Sequence, residues 1–237
     1  SIAPLVSLRT PDCYFAAFDS SNHDFVLVIE DLGDLRIGDQ VAGCTLEEAR
    51  GVISAIAQLH ADGWQSEKLS GLISHNNPMQ RDGMIGGWQL GWPVVLDKFA
   101  DLVPAAARVA GDKMPEAVAG LLDQMSSDPV SLCHADVRLD NVFFGDGDGE
   151  VVLVDWQSVC TSAPEQDLAY FLTQSVPRDV LGREDLIGFY HAELTARGVD
   201  YSLDRCRERY RVCALYLLCY AVVIAGTLDL ANERGMA

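Results

Sequence analysis

The sequence predicts an α+β fold in which a strand-rich N-terminal part precedes a larger helical part. An apolar run at 25–30 (FVLVIE) indicates a strand, and a capped helical pattern begins at Thr45. Strand patterns return over 131–155, and the chain is helical from about residue 184 onward. Strands and helices do not alternate, which argues against a Rossmann-type fold. The order favours a helical lobe beneath a strand-rich one.

The composition narrows the possible functions. A formal net charge of −18 argues against a nucleic-acid partner, because binding to a phosphate backbone needs clustered Lys and Arg. The same charge suits a cationic ligand, although it also serves solubility. The 7 cysteines include no C-x-x-C pair, which indicates reduced thiols rather than a zinc site. The longest apolar run, 212–228, is shorter than the ~20 residues of a membrane span. We expect a soluble, cytoplasmic protein with no membrane partner.

A capping box opens the first predicted helix. In Thr45-Leu46-Glu47-Glu48 the threonine oxygen can accept from a free main-chain amide while Glu48 reaches back. Apolar residues then recur at the spacing of one buried helix face: Leu46, Ala49, Val52, Ile53, Ile56 and Leu59. His60 and Trp64 close this helix, and we expect core or boundary roles for both.

The stretch that follows is less regular. Residues 65–100 are rich in Gly, Asn and Trp and have weak periodicity, which predicts a long loop or insertion that serves as a binding surface or lid. Residues 101–126 return to helical patterning, with Pro104 and Pro115 in first helical turns.

A hairpin is predicted after a short strand at 131–133. Its strands are NVFF, which starts at Asn141, and VVLVD, which ends at Asp155. The turn GDGDG (145–149) joins them, because its glycines can take positive φ.

Polar residues flank this hairpin in the motifs HADVRLDN and VVLVDW. Asn141 starts one strand and Asp155 ends its partner, so their side chains can converge at one mouth. A carboxylate plus an amide oxygen suits Mg²⁺, which takes few protein ligands and phosphate oxygens for the rest. Asp136 is free to accept a proton from a hydroxyl nucleophile, and Arg138 supplies positive charge where a phosphate would be transferred.

These motifs carry a resemblance. H-x-D-x-x-x-x-N, then an apolar strand, a turn and a strand ending in Asp, resembles the layout of the protein-kinase-like fold. The form here is most similar to the aminoglycoside phosphotransferase and choline kinase superfamily. Three further stretches resemble parts of this superfamily. The first, VLVIEDLG, resembles the hinge strand that meets adenine, and the second, LEEARGVISAIAQLHADGW, resembles the helix that ends in Leu-His. The third, PEQDLAYFL, resembles the Asp-[Leu/Ile]-Ala segment. Gln157, after Asp155-Trp156, leans toward the ecdysteroid-kinase-like branch. The resemblance covers roughly residues 20–175.

The resemblance implies a kinase that uses ATP and Mg²⁺ to phosphorylate a hydroxyl group of a small molecule. It implies that Asp136 is the catalytic base and that Arg138 supports the phosphates. It also implies that Asn141 and Asp155 hold the metal ion.

The resemblance further places the hinge at Glu30, Asp31 and Leu32, whose main chain would hold adenine. We therefore divide the chain into two parts. Residues 1–32 are the remnant of the N-terminal lobe with its hinge strand. Residues 33–237 are the helical C-terminal lobe with the catalytic and metal-binding loops.

Kinases of this fold cover the ATP phosphates with a glycine-rich loop and reach them with a strand lysine, both before the hinge. Here the first glycine is Gly33, the first lysine is Lys68, and Arg9 is the only Lys or Arg before Glu30. We therefore expect a truncated protein that lacks most of its strand-rich lobe, on the order of 80 to 100 residues. We expect it to bind nucleotide weakly.

Other interpretations stay open. A structural hairpin with a well-bonded Asn/Asp turn would explain the loop, but not Asp136, Asn141 and Asp155 all at the family's spacing. A non-catalytic kinase-like module that binds a nucleotide or another ligand is the alternative function. Within the motifs we expect His134 to brace the loop. Ala135 stands where the family usually has Gly, which tightens the backbone options.

Asp167, in the PEQDLAYFL stretch, is expected to be a structural buried carboxylate rather than a catalyst. The phosphate acceptor is left open beyond a small molecule with a hydroxyl group. The acidic surface would suit aminoglycosides or choline, and the Trp-rich stretch at 65–100 would suit sterol-like alcohols or hydroxyacyl thioesters. The oligomeric state is also left open.

Overall fold

The computed structural model describes residues 3–145 and 150–227. Its strands are β1 (Cys13–Phe18), β2 (Phe25–Ile29), β3 (Arg36–Ile37), β4 (Ser131–Cys133), β5 (Val142–Phe144), β6 (Val151–Leu153) and β7 (Cys160–Ser162). Its helices are α1 (Leu46–Gly63), α2 (Pro78–Lys98), α3 (Ala105–Gly111), α4 (Met114–Met125), α5 (Glu165–Gln174), α6 (Arg178–Leu181), α7 (Leu186–Ala196) and α8 (Leu203–Thr227). The predicted α+β class is confirmed. The division of the chain at Leu32 stays a prediction.

The strands form small antiparallel sheets in the order β1-β2, β3-β5-β6 and β4-β7. In the predicted hairpin, Val142 of β5 lies opposite Leu153 of β6. The predicted turn GDGDG lies outside the described residues apart from Gly145. The hairpin itself is confirmed by the pairing of β5 with β6.

The first hairpin is exposed on both faces. Every residue of β1 and β2 is exposed, and Phe25 reaches 73% of its full accessibility. The prediction of a buried strand at FVLVIE is therefore wrong, although a strand does form there. An apolar strand is buried only where a second layer packs on it. In the part of the chain that the structure describes, no such layer covers this hairpin.

Helix α1 begins at the predicted capping box. The Glu48 amide donates to Thr45 Oγ1 at 3.2 Å, and the Thr45 amide donates to the Glu48 carboxylate at 2.8 Å. The predicted apolar face is buried against α5, α7 and the β5-β6 hairpin. Val137 and Leu139 are fully buried in the same core. The polar loop at 134–141 is therefore anchored by its own apolar residues.

Helix α2 occupies most of the stretch that was predicted to be a loop. The Asn77 side-chain oxygen accepts from the Gln80 amide at 3.0 Å, and Pro78 is the first helical residue. Both are helix-start signals. Glycine and tryptophan obscure the apolar period that follows, so the sequence pattern after these signals resembles a loop. The prediction of a long loop or lid over 65–100 is wrong for this helix.

Glycines let α2 and α8 approach closely. A Cβ on Gly91 would lie 2.4 Å from the Val222 carbonyl oxygen, and a Cβ on Gly226 would lie 2.0 Å from the Gly91 Cα. The distance between two helix axes depends on the side chains at the contact. Trp88 and Trp92 stack at 5.0 Å between ring centroids and are buried in the core that α2, α4 and α8 share. The tryptophans are therefore structural.

Helix α8 contains the apolar run near the C-terminus for which a buried helix is predicted, and 33% of its most apolar window is buried. Over Leu203–Gly226 it is, among the described helices, the one that is long and apolar enough by length and composition to cross a membrane. It packs against α2, α4, α5 and α7. Cys213, Tyr216, Leu217 and Cys219 are buried at these contacts. Part of the apolar surface of α8 is therefore used for packing within the protein.

The close approach of α2 and α8 predicts opposite effects for two glycine substitutions on one helix. Gly91→Ala should lower the free energy of unfolding by roughly 1–3 kcal/mol, because the new methyl group overlaps the Val222 carbonyl. Gly83→Ala should raise it by about 0.5–1 kcal/mol, because alanine favours helix and nothing lies within 4 Å of its Cβ position. Urea denaturation of both variants checks this. Equal effects would contradict the packing of the two helices.

Candidate active site

The loop at 134–141 brings two predicted site residues into direct contact. A short 3-10 turn, Leu139–Asn141, precedes β5 and turns the Asn141 side chain back toward the loop. The Asn141 Nδ2 donates to the main-chain oxygen of Asp136 and to its Oδ2, both at 3.0 Å. Both amide hydrogens are thus used. Among the described residues no donor bonds Asn141 Oδ1, so this oxygen is available as a ligand atom.

Asp155 lies at the same end of the hairpin. The Val154 amide donates to the Asn141 carbonyl at 3.0 Å, so Asn141 lies opposite the residue before Asp155. Asp155 follows the end of β6 rather than closing it, and its φ of 63° and ψ of 63° are left-handed. A non-glycine residue is uncommon in this region because the conformation costs free energy. Residues with such strained backbones cluster at functional sites. Its exposed carboxylate accepts from Gln157 Nε2 at 3.3 Å.

Arg138 lies beside the acidic residues of its own loop. Its Nε is 3.7 Å from Asp136 Oδ1, and its Nη1 is 3.8 Å from Asp140 Oδ2. These separations are ion-pair distances rather than hydrogen bonds. With 43% of its side chain exposed, the guanidinium can reach an anion in front of Asp136.

A buried carboxylate holds the start of the loop. Asp167 Oδ2 accepts from the His134 amide at 2.7 Å, and Oδ1 accepts from the Ala135 amide at 2.8 Å. His60 Nε2 lies 3.2 Å from Oδ2. Ala135 has a φ of 65°, so the residue that replaces the family's glycine is left-handed. The hydrogen bonds that the His134 and Ala135 amides donate to Asp167 hold this conformation. The structural role predicted for Asp167 agrees with this geometry.

The pKa of Asp167 is lowered. Burial would raise this pKa, but the hydrogen bond and charge of His60, with the hydrogen bond from the His134 amide, outweigh burial. Stability contributed by a carboxylate with a lowered pKa is present above its usual pKa of 3.8 and is lost as the pH falls through the lowered value. Ligand atoms of His60, Cys133 and Asp167 lie within 4.8 Å of one another. Both Asp167 oxygens are already bonded to main-chain amides, so we assign no metal here.

His134 joins the loop to the strand that leads to Asp155. The Asp136 amide donates to His134 Nδ1 at 3.3 Å, so the ring proton is on Nε2, which donates to the Val154 carbonyl at 2.9 Å. The ring also packs on Trp156 at 4.7 Å between centroids. The bracing role predicted for His134 agrees with these contacts.

Gln40 is a second brace, which the sequence did not reveal. Its Oε1 accepts from the Leu139 amide at 2.8 Å and from Ser175 Oγ at 3.0 Å. Its main-chain amide donates to Asp140 Oδ1 at 3.2 Å. Gln40 follows β3 and is about 100 residues from the loop, so no local pattern could have identified it.

The predicted hinge residues lie between β2 and the rest of the chain. The Glu30 carboxylate pairs with Arg9 at 2.6 and 2.8 Å and accepts from the Asp12 amide at 3.1 Å. Asp31 Oδ1 accepts from the Gly33 amide at 2.9 Å. The side chains of Glu30 and Asp31 thus form hydrogen bonds with other residues of the N-terminal part of the chain. Within the described chain, no hydrogen bond uses the Glu30 carbonyl or the Leu32 amide.

Tyr170 of α5 faces Asp136 and was not predicted as a site residue. Burial raises its pKa, and the charge of Asp136 and a hydrogen bond to it raise it further. The phenol therefore stays protonated near the carboxylate. Its position in PEQDLAYFL, three residues after Asp167, was visible in the sequence, but nothing there indicated contact with Asp136.

The Asp167 bonds predict a stability effect that is separate from catalysis. Asp167→Asn should lower the free energy of unfolding by roughly 2–4 kcal/mol, because one oxygen becomes an NH₂ group facing a main-chain donor in a buried site. Asp179→Asn, at a carboxylate that is 69% exposed, is the control and should change stability little. Urea denaturation measures both. A wild-type midpoint for Asp167→Asn would contradict the loop clamp.

Comparison with solved structures shows the fold. The microcompartment-associated aminopropanol kinase matches with a TM-score of 0.64 and 14% identity over 99% of this chain and 73% of that one. The wild-type aminoglycoside 2'-phosphotransferase-IIIa matches with a TM-score of 0.58 and 13% identity over 99% and 74%. An ethanolamine kinase of Plasmodium vivax matches with a TM-score of 0.58 and 12% identity over 96% and 65%. The chain shares the kinase-like fold of these proteins.

No match was found among curated proteins. The model of the ecdysteroid kinase-like family matches residues 7–198, which is well over half of the chain. This match includes the loop at 134–141, Asp155 and Asp167, and it confirms the resemblance on which the sequence interpretation rested. The chain belongs to the ecdysteroid kinase-like family.

Proposed function

We propose that this protein transfers the γ-phosphoryl group of ATP to a hydroxyl group of a small molecule. The observation that carries the proposal is the contact between Asn141 and Asp136. One amide side chain holds the carboxylate that would act as base and leaves its own oxygen available for a metal ion. A turn with only a structural role would not require Asn141 to bind Asp136 through its Nδ2 and leave its Oδ1 without a donor.

Asp136 is the proposed general base. The acceptor O–H bond breaks, its proton passes to Asp136, and the freed oxygen forms a bond to the γ-phosphorus. The bond from that phosphorus to the bridging oxygen breaks, and ADP leaves. Asn141 fixes Asp136 Oδ2 at 3.0 Å, so the carboxylate is oriented before the acceptor arrives. Arg138, at 3.7 Å from Oδ1, is placed to attract the transferring phosphoryl group.

The donor set at the hairpin mouth fits Mg²⁺. Asn141 Oδ1 and the Asp155 carboxylate are hard oxygen ligands at one end of one hairpin, and the described chain places no Lys or Arg in an ion pair with Asp155. These two residues would hold the ion. Bound there, Mg²⁺ would neutralise phosphate charge. The left-handed backbone of Asp155 sets the direction of its carboxylate, which Gln157 steadies.

The nucleotide base would bind at the hinge. The Glu30 carbonyl and the Leu32 amide offer an acceptor and a donor, and Leu32 is buried, which supplies an apolar surface. We propose ATP as the donor. The similar aminoglycoside phosphotransferase structure is a GDP complex, so GTP is the appropriate competitor in every assay.

The acceptor is proposed as a small alcohol. The similar kinases are described as acting on aminopropanol, ethanolamine and aminoglycosides. The Trp-rich stretch at 65–100 does not support sterol-like acceptors, because Trp88 and Trp92 are buried in the core rather than exposed on a loop. The net charge of −18 still suits a cationic acceptor.

A non-catalytic nucleotide-binding module is the second candidate. A thermal-shift assay with ATP, with and without Mg²⁺, and an assay of ADP release with a panel of alcohols separate the two. Magnesium-dependent stabilisation with alcohol-dependent ADP release supports the kinase. Stabilisation without ADP release supports the module, and no stabilisation contradicts both.

The base assignment predicts the effect of Asp136→Asn. Asparagine keeps the size of aspartate but cannot accept the proton, so turnover should fall by ~10²- to 10⁴-fold. Affinity for Mg·ATP should change little. Steady-state kinetics with the best acceptor of the panel, together with the melting temperature, check this. Wild-type turnover in a folded Asp136→Asn variant would remove Asp136 from the base role.

The metal assignment predicts a graded loss of nucleotide binding. Asp155→Ala should abolish the magnesium dependence of ATP affinity, and Asn141→Ala should weaken it less because a neutral amide is the poorer ligand. Asp97→Ala, at an exposed carboxylate of α2, is the matched control. Calorimetric titration with ATP at varied Mg²⁺ measures all of them. ATP binding by Asp155→Ala with the magnesium dependence of the wild type rules out this pair.

A further inference from the structure

Charged and apolar residues alternate along the catalytic loop. Val137 and Leu139 are fully buried in the core, whereas the side chains of Asp136, Arg138 and Asp140 are partly exposed. Arg138 has an extended backbone, with a φ of −112° and a ψ of 157°, and side chains two positions apart lie on the same side of an extended chain. The arginine therefore lies between two carboxylates on the outer side of the loop.

Asp140 is the one of these three charged residues to which the proposed base, phosphate and metal roles give no function. Its Oδ1 accepts from the main-chain amide of Gln40 at 3.2 Å. Its Oδ2 lies 3.8 Å from Arg138 Nη1. One carboxylate oxygen is thus tied to the segment that follows β3, and the other oxygen faces the guanidinium.

The residue that holds Asp140 is itself held by helix α5. Gln40 Oε1 accepts from Ser175 Oγ at 3.0 Å, and Gln40 Nε2 donates to the Gln174 carbonyl. These two residues are the C-terminal end of α5, and Asp167 near the start of the same helix holds the first residues of the loop. One helix therefore supports both ends of the loop, and it reaches Asp140 through Gln40.

The guanidinium of Arg138 has few other restraints. Within the part of the chain that the structure describes, it makes no hydrogen bond, and its distances of 3.7 Å to Asp136 and 3.8 Å to Asp140 are those of loose ion pairs. A long side chain of which 43% is exposed has many rotamers, and fixing it costs entropy. The two carboxylates restrict the guanidinium from opposite neighbours in the chain and leave its N–H groups available to an anion.

We propose that Asp140 is a positioning residue, whose carboxylate holds the Arg138 guanidinium in place for the transferring phosphoryl group. The inference rests on the proposed kinase function and adds to it a residue that acts through Arg138 and does not touch the substrate. Asp136 cannot hold the guanidinium throughout the reaction, because it accepts the proton of the acceptor hydroxyl and loses its charge. Asp140 takes no part in that proton transfer, so its ion pair with Arg138 persists.

The charge of Asp140 has opposite effects on turnover and on nucleotide binding. Asp140→Asn keeps an oxygen that can accept from the Gln40 amide but removes the charge that faces Arg138. Loss of the oriented guanidinium lowers turnover. A carboxylate near the phosphates repels them, so its removal does not weaken their binding. A residue that only stabilised the fold would instead lower both turnover and affinity.

A double-mutant cycle separates an action through Arg138 from a general effect on the loop. The proteins are the wild type, Asp140→Asn, Arg138→Met and the double variant. The control is Asp179→Asn, at an exposed carboxylate of α6 that pairs with Arg183. ADP release with the best alcohol of the panel gives kcat, calorimetric titration gives the affinity for ATP with and without Mg²⁺, and the melting temperature reports folding.

Asp140→Asn should lower kcat by roughly 3- to 10-fold, with an affinity for Mg·ATP equal to that of the wild type or higher. Arg138→Met should lower kcat by about 10²-fold. In the Arg138→Met background, Asp140→Asn should change kcat by less than about twofold, because a residue that acts through the guanidinium has no effect once the guanidinium is removed. Asp179→Asn should behave as the wild type.

An unchanged kcat in Asp140→Asn or in Arg138→Met overturns the inference, and so does the same fold-loss from Asp140→Asn in both backgrounds. Weaker binding of ATP that no longer depends on Mg²⁺ in Asp140→Asn also overturns it, because Asp140 would then be a metal ligand. Wild-type turnover together with any of these results contradicts the role of Asp140 alone. A wild type that releases no ADP with any alcohol contradicts the proposed kinase function, and the inference is overturned with it.

Discussion

The buried carboxylate of Asp167 is the interaction on which the geometry of the site depends. A charge in the core is tolerated only when its hydrogen-bonding capacity is filled, and here the amides of His134 and Ala135 fill it together with His60. These bonds tie α5 and α1 to the first residues of the catalytic loop. They also hold Ala135 in a left-handed conformation, which turns the chain so that Asp136 leaves the core. The carboxylate of Asp136, the proposed base, is thus positioned by a second carboxylate that is buried in the core.

The second core depends on how closely α2 and α8 pack. Glycines at their crossing remove the side chains that would keep the main chains apart. Gln80 of α2 can then reach the phenols of Tyr216 and Tyr220 on α8. The helix pair that holds the second core thus also positions these two phenols.

The features that could be predicted from the sequence are those that residues close together in the chain determine. The capping box at Thr45 and the hairpin around β5 and β6 follow from adjacent residues, whereas the contact between Asp136 and Asn141 was not predicted, because the sequence indicated only that Asn141 and Asp155 lie at one end of the hairpin. The bracing by Gln40 could not be predicted, because it joins residues about 100 positions apart without a pattern. Burial of the strand at 25–29 was overpredicted, because an apolar pattern cannot show whether a second layer covers it. Helix α2 was missed because glycines used for packing resemble glycines used for turns.

The central claim is that the mouth of the β5-β6 hairpin holds Mg²⁺ and the ATP phosphates in front of Asp136. A crystal structure with Mg²⁺ and a non-hydrolysable ATP analogue tests it most directly. The account predicts an ion within about 2.1 Å of Asn141 Oδ1 and of an Asp155 oxygen, with the γ-phosphate beside Asp136. A nucleotide bound elsewhere, or an ion that Asn141 and Asp155 do not coordinate, would contradict it.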